Sequence, residues 1–259
     1  MEMESQWMIK KNLQIQRGIE DLWIKSCAIL PNGKLMFVDQ GNNRLILHHQ
    51  TGSFDKEVKL QYTPFDITVI KPEMYAVTFG KYRTLQIFDT TEHTLCHDIK
   101  FGKSCWGVSY SDGKLYVVVF QKGIEVLNLF GMRIRTIEVD VLIEKGCYCT
   151  VDKDRIYYTG NFWGVVNCCD LEGRPNWQFN DDILASPCTI SVLTTGDIFV
   201  VGYESHNVVS ISRDGKRRKV ILRQSDGLNY PEAIYYDVAR KSLLVANSWG
   251  GTAILYNIV

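Results

Sequence analysis

Several things are missing from this 259-residue chain. No apolar run approaches the ~20 residues that a membrane-spanning helix needs, and none of its segments shows the ten-residue amphipathic pattern of a surface helix. Its start, Met1-Glu2-Met3-Glu4-Ser5, is acidic and lacks the basic-then-apolar shape of a secretory signal. There is no Asn-x-Ser/Thr sequon, and none of the eight cysteines forms the Cys-x-x-Cys pair typical of zinc sites. Most cysteines sit inside apolar strand patterns, as in Val166-Asn167-Cys168-Cys169, and read as reduced packing residues. These features point to a reducing, cytoplasmic setting. Net charge is also missing. Lys plus Arg (29) balance Asp plus Glu (29), which excludes a globally basic nucleic-acid binder and leaves only local patches to consider. No partnership with DNA or a membrane is expected.

What the chain does contain is a phrase that recurs about every forty residues: turn, short apolar strand, polar loop, second strand, turn. In the first copy Pro31-Asn32-Gly33-Lys34 leads into Leu35-Met36-Phe37-Val38. The loop Asp39-Gln40-Gly41-Asn42-Asn43-Arg44 then leads into Leu45-Ile46-Leu47. The first strand of each copy starts near Leu35, Met74, Leu115, Ile156, Ile198 and Leu243, and the following strand near Leu45, Leu85, Ile124, Val165, Val208 and Ala253. Two landmarks staying in step through six copies define six units. Hairpin signals such as Asn32-Gly33, Asp112-Gly113 and Thr195-Gly196 precede the first landmark. An innermost strand lies ahead of each pair, and an outer strand such as Met132–Ile137 follows.

Four antiparallel strands per forty-residue unit describe a propeller blade, which can bury its apolar faces only against its neighbours. The expectation is an all-β, six-bladed β-propeller forming a single domain over residues 1–259. The sixth copy ends after its third strand, Thr252–Ile258, and the segment Trp7–Ile15 has no blade of its own. Residues 7–15 are therefore expected to supply the outer strand of the last blade and close the ring, removing an exposed sheet edge.

The stretch Gly196-Asp197-Ile198-Phe199-Val200 through Asn207-Val208-Val209 to Asp214-Gly215, and the loop Asp39-Gln40-Gly41-Asn42-Asn43-Arg44-Leu45, resemble NHL repeats. The stretch from Ile156 through Cys168-Cys169-Asp170-Leu171-Glu172-Gly173 to Leu244-Val245-Ala246-Asn247 is similar to the C-terminal propellers of TRIM-family proteins of the invertebrate, mollusc type. The fit is best in blades one and five; blades three and four keep only the apolar frame. The resemblance implies a domain that recognises substrate or RNA, with ubiquitin-ligase chemistry in a RING that this sequence does not contain.

The loops entering each inner strand and those joining the second strand to the third share one face of a propeller. The repeat assigns to that face Arg44, Tyr82, Arg83, Trp106, Lys122, Tyr148, Phe162, Trp163, Tyr203, Tyr230 and Trp249. Aromatic rings with interspersed bases suit protein interfaces and also stack on unpaired nucleotides. Trp106 and Tyr148 read equally well as rings wedged between blades, whereas Trp163 and Trp249 lie in glycine-containing polar loops. The asparagines Asn43, Asn207 and Asn247 read as turn and loop-bridging residues. The run Lys216-Arg217-Arg218-Lys219 falls on the rim and reads as a charged, solvated edge.

A metal-dependent propeller hydrolase would need several oxygen ligands converging on the channel. The repeat offers only Asp66, Glu232 and Asn247 there. No histidine pairs with a serine or cysteine in a nucleophile motif. The expectation is a non-enzymatic module without cofactor or metal, binding a protein or peptide on its aromatic loop face. Single-stranded RNA on the same face is the alternative, disfavoured by the neutral charge because phosphate contacts dominate such affinity.

Overall fold

A computed structural model describes residues 7–71, 73–139, 146–160 and 164–258. Among these, 24 strands form six four-stranded antiparallel sheets arranged as the blades of a closed propeller. Blade one comprises β2 (Ile24–Ile29), β3 (Leu35–Asp39), β4 (Arg44–His48) and β5 (Phe54–Lys59). Blade two comprises β6 (Ile67–Lys71) to β9 (Leu95–Lys100), blade three β10 (Cys105–Ser111) to β13 (Arg133–Ile137), and blade four β14 (Cys149–Asp152) to β17 (Pro175–Phe179). Blade five runs from β18 (Pro187–Val192) to β21 (Arg218–Leu222). Blade six takes β22 (Pro231–Asp237), β23 (Ser242–Asn247) and β24 (Thr252–Ile258) from the end of the chain, and its outer strand is β1 (Trp7–Gln14). β1 runs antiparallel to β24 from Trp7↔Ile258 to Gln14↔Thr252, with one irregularity between Ile9 and Lys11.

The middle strands are apolar without alternation because both of their faces are covered. Side chains along a strand point alternately to its two sides. In β3, Leu35 and Phe37 therefore pack against blade six, in a cluster with Leu244 and Ala246, while Met36 and Val38 pack against Tyr75 and Val77 of blade two. The adjacent cysteines of β16 (Val165–Asp170) divide in the same way. Cys169 joins the Tyr116–Ile124 cluster of blade three, and Cys168 joins Val200 and Val209 of blade five. Six such clusters fill the six wedges between neighbouring blades. Truncating one of these side chains to alanine costs about 2–5 kcal/mol, since close neighbours collapse only partly into the void.

A second set of contacts ties the inner strands together around the axis. A polar side chain of one blade accepts the backbone N–H of the next. Asp66 takes Val108 N–H (2.8 Å), Thr68 takes Tyr110 (3.2 Å), Ser109 takes Val151 (3.0 Å), Thr189 takes Ile234 (2.8 Å) and Ser191 takes Tyr236 (2.8 Å). The partners lie 42, 42, 42, 45 and 45 residues apart, one blade length each. These side chains satisfy inner-strand amides that have no sheet neighbour toward the channel. Gly107 lets blades three and four approach closely: a Cβ there would lie 2.6 Å from the Tyr148 Cα and 2.7 Å from the Cys149 nitrogen.

Hairpin chemistry follows the turn signals. Asp112 and Gly113 both have positive φ (47° and 73°), the backbone that a two-residue hairpin turn requires. None of the eight cysteines is joined in a disulfide; seven are buried and Cys96 is exposed. No helix among the described residues is long and apolar enough to cross a membrane.

Candidate functional site

The loop face carries three groups of side chains. The first plugs the channel at the axis. Phe65 stacks on Tyr148 (centroids 4.8 Å apart) and meets Trp106 edge-on (5.1 Å), with Cys188 packed against them. Tyr148 is buried, and burial holds its phenol well above the usual range. Its hydroxyl donates to the Lys25 carbonyl at 3.0 Å and lies 3.4 Å from the Glu232 carboxylate. Trp106 is half-buried and covers Gly80, where a Cβ would come within 2.6 Å of the indole.

The second group lies on blade two. Tyr82, at the loop between β7 (Met74–Thr78) and β8 (Thr84–Asp89), stacks on Tyr62 at 4.9 Å, with the Lys81 ammonium 5.2 Å from its ring. Arg83 is exposed beside it and reaches the Gly102 carbonyl at 3.4 Å.

The third group spans blades one, six and five and borders a concavity on this face. Trp23, just before β2, stacks on Trp249 (5.1 Å, 21° between planes). Trp249 Nε1–H donates to the Tyr203 hydroxyl (2.8 Å), Tyr203 packs against Tyr230 (5.1 Å), and the Tyr230 N–H donates to His206 Nδ1 (2.9 Å). Trp249 and Tyr230 keep 40% and 41% of their surface exposed, although each is fixed by neighbours. Beneath this arc opens a cavity of about 530 Å³ lined by Trp23, Lys25, Ser186, Cys188, Tyr203, Glu204 and Glu232. Glu232 is buried on its floor. It holds the Lys25 ammonium at 2.5 Å and the Ser248 hydroxyl at 2.7 Å, and the same ammonium lies 4.4 Å from the Trp23 ring centroid. Ser186 and Tyr230 both have positive φ (52° and 48°). In that conformation their carbonyls accept the N–H groups of Tyr203 and Ser248, tying the loop ends of blades five and six to the rim.

Tyr203, Tyr230 and Trp249 therefore come together, Tyr82 and Arg83 form a separate pair, and Trp106 and Tyr148 belong to the plug. Lys122 lies in the turn after β11 (Lys114–Val119), paired with Glu125. Phe162 and Trp163 lie outside the described residues. Arg44 differs from the expectation. It is 2% exposed, with Nε 2.9 Å from Asp39, Nη1 2.5 Å from Glu57 and Nη2 donating to the Gln16 carbonyl. Its guanidinium is consumed inside blade one because Asp39 would otherwise be a buried, unpaired charge. Trp23 and Lys25 were missed. Trp23 occupies the same entry position as Tyr230, immediately before the inner strand of its blade, so the repeat held that signal.

The channel below the plug narrows to about 90 Å³ around Ser26, Asp66, Thr68, Ser109, Thr150, Thr189 and Ser191. Asp66 is buried there and its carboxyl is pushed up to about 6 by burial, against hydrogen bonds from Ser26 (2.6 Å), Val108 and Ile67. Asn247 bonds the Gly227 carbonyl and the Thr252 hydroxyl, so it bridges loops and does not point a free oxygen at the channel. Among the described residues no three His, Cys, Asp or Glu side chains cluster in a way that could hold a metal ion.

No protein-family model matches the chain, and no curated protein is similar enough to count as a relative. NHL-repeat or TRIM membership is therefore not shown, while the six-bladed propeller is. Solved structures with this fold include a Bacteroides thetaiotaomicron protein of unknown function (TM-score 0.78, 13% identity, 96% of this chain and 72% of that one). Virginiamycin B lyase from Staphylococcus aureus superposes with TM-score 0.72 at 10% identity, covering 98% of this chain and all of that one. A streptogramin B lyase gives 0.70 at 12% identity, covering 96% and 98%. At these identities the likeness is one of fold. It nevertheless corrects the expectation that the chain is not an enzyme: lyases are built on the same frame, so neither the architecture nor a missing nucleophile motif excludes catalysis.

Proposed function

We propose that the loop face binds an extended peptide segment of a partner protein, and that the cavity between blades one, six and five takes one of its side chains. The observation that carries this reading is the arc Trp23–Trp249–Tyr203–Tyr230. Its rings are held in place by stacking and hydrogen bonds; Trp23 and Tyr203 line a 530 Å³ cavity, and Trp249 and Tyr230, packed against them, keep about two-fifths of their surface in water. Rigid aromatics lose little conformational freedom on binding and dominate interface energetics. Concave pockets in which a few polar groups converge beside aromatic rings are a usual form of a binding site. In a TRIM-type chain the bound peptide would be the segment selected for ubiquitination, and the unbridged cysteines suit a reducing, cytoplasmic location.

Single-stranded RNA on this face has less support. Arg44 is spent on Asp39 and Glu57, and the cavity presents two carboxylates for one ammonium.

Phage-displayed peptides selected on the wild-type protein test the reading. Enriched peptides should bind at least about 30-fold more weakly to Trp249→Ala, the effect of losing an interface anchor worth about 2 kcal/mol, with the melting temperature nearly unchanged. Failure to enrich any peptide, or enriched peptides indifferent to Trp249, would remove the proposal. Oligouridine binding that falls steeply with salt would favour RNA instead.

A further inference from the structure

The charges of the cavity are unequal, and their arrangement says which side chain it accepts. The lining carries one cation, Lys25, and two carboxylates, Glu204 and Glu232. Lys25 and Glu232 neutralise each other at 2.5 Å, and Ser248 satisfies the second Glu232 oxygen. Glu204 is left exposed at the mouth, and among the described residues no cation pairs with it. The remaining wall is Trp23, Tyr203, Ser186 and Cys188, and the faces of its two rings carry the negative side of the ring quadrupole. The walls already hold one ammonium in this way: Lys25 sits over Trp23 at 4.4 Å with a carboxylate behind it. An incoming anion would find no unpaired cation and would meet Glu204.

We propose that the side chain entering the cavity is a cation, an arginine or lysine of the bound peptide, taken by the Tyr203 ring and the Glu204 carboxylate in its lining, with Trp249 buttressing Tyr203 from outside. This rests on the peptide reading above and adds the chemical class of its anchor. Trp249 is held by Trp23 on one face and by its hydrogen bond to Tyr203, which fixes the Tyr203 ring in the cavity wall, and Tyr203 and its chain neighbour Glu204 form a ring–carboxylate pair there. Such a pair needs no rearrangement to receive a guanidinium or ammonium. Lys25 is then the internal counterpart of the ligand. It fills the inner position, between Trp23 and Glu232, and leaves the outer one to the guest.

The test uses four pools of fluorescein-labelled hexapeptides, random except for a central arginine, lysine, norleucine or glutamate, titrated with the whole chain and read by fluorescence anisotropy. The arginine and lysine pools should bind roughly tenfold more tightly than the norleucine and glutamate pools, the scale of a partly exposed cation–π contact with one ion pair. Glu204→Gln should weaken the arginine pool roughly threefold, the share of the ion pair, and leave the norleucine pool unchanged. Because Glu204 is exposed, this variant keeps the fold. Norleucine or glutamate pools that bind as tightly as arginine, and still depend on Trp249, would overturn the cation and keep the peptide. An arginine pool indifferent to Glu204→Gln would do the same. No binding by any pool would overturn both.

Discussion

Titration of Asp66 gives the sharpest check on the axis of the propeller. Its carboxyl is buried in the narrow channel and receives three hydrogen bonds, from Ser26 Oγ, the Ile67 N–H and the Val108 N–H. Burial disfavours the charged form and the hydrogen bonds favour it; burial wins, and the group is pushed from 3.8 up to about 6. An acid whose folded pKa lies above its unfolded value stabilises the fold fully below the unfolded pKa, and that stabilisation is lost as pH rises through the folded one. A shift of about two units corresponds to about 3 kcal/mol in total, of which about 2 kcal/mol falls between pH 4.5 and pH 7. The carboxylates whose titration is held down, among them Asp55, Asp98 and Glu57, act in the opposite sense and weaken the fold in acid. The comparison must therefore be with a non-titrating variant of equal size. Urea unfolding of the wild type and Asp66→Asn at pH 4.5, 5.5, 6.5 and 7.5 isolates the term, since the other groups cancel. The wild-type advantage over Asp66→Asn should shrink by about 2 kcal/mol across that series. An advantage that stays flat or grows with pH would refute the reasoning. It would mean that the three donors, or water in the 90 Å³ neck, solvate the carboxylate well enough to cancel its burial.

Arg44→Ala should cost about 3–5 kcal/mol in urea unfolding by leaving Asp39 buried without its partner. It should not change the affinity of a peptide that depends on Trp249, whereas a loss of binding without destabilisation would return Arg44 to the recognition face. Gly107→Ala should lower the melting temperature sharply or prevent folding, because the added Cβ would meet backbone atoms of blade four at 2.6–2.8 Å. Wild-type stability would show that blades three and four separate more readily than the structure implies.

The frame was legible because propeller strands are covered on both faces. Runs such as Leu35-Met36-Phe37-Val38 stand out against the polar loops, and the strands β3, β16 and β24 span the apolar segments that the repeat marks out. The site was less legible for a physical reason. The polar signature Asp39…Asn42…Arg44 looks like exposed recognition chemistry, but its members bond one another: Asn42 Nδ2 donates to Asp39 at 2.9 Å, and Arg44 Nε does likewise at 2.9 Å. It is a clasp for the loop. Asn207 and Asn247 act similarly, donating to the Ile183 and Gly227 carbonyls. Spacing along the chain assigns a residue to the loop face, yet it cannot tell a side chain turned inward, as in Tyr148, from one turned outward, as in Trp249. That difference depends on which neighbouring blade offers a partner.

The two-sided packing of the middle strands also governs where this chain tolerates a change of length. One residue inserted or deleted within β3 would carry Leu35 and Phe37 from the blade-six wedge into the blade-two wedge, and Met36 and Val38 the other way. Two cores would be mispacked by a single event. Residues added to the loops beyond Asp39 or Gly202 would disturb neither wedge. The copies can therefore drift apart only at their tips, which are also the surfaces that meet a ligand. The architecture thus separates strands that cannot change length without mispacking two wedges from loops whose length is limited only by their own clasps, such as Asp39–Asn42–Arg44.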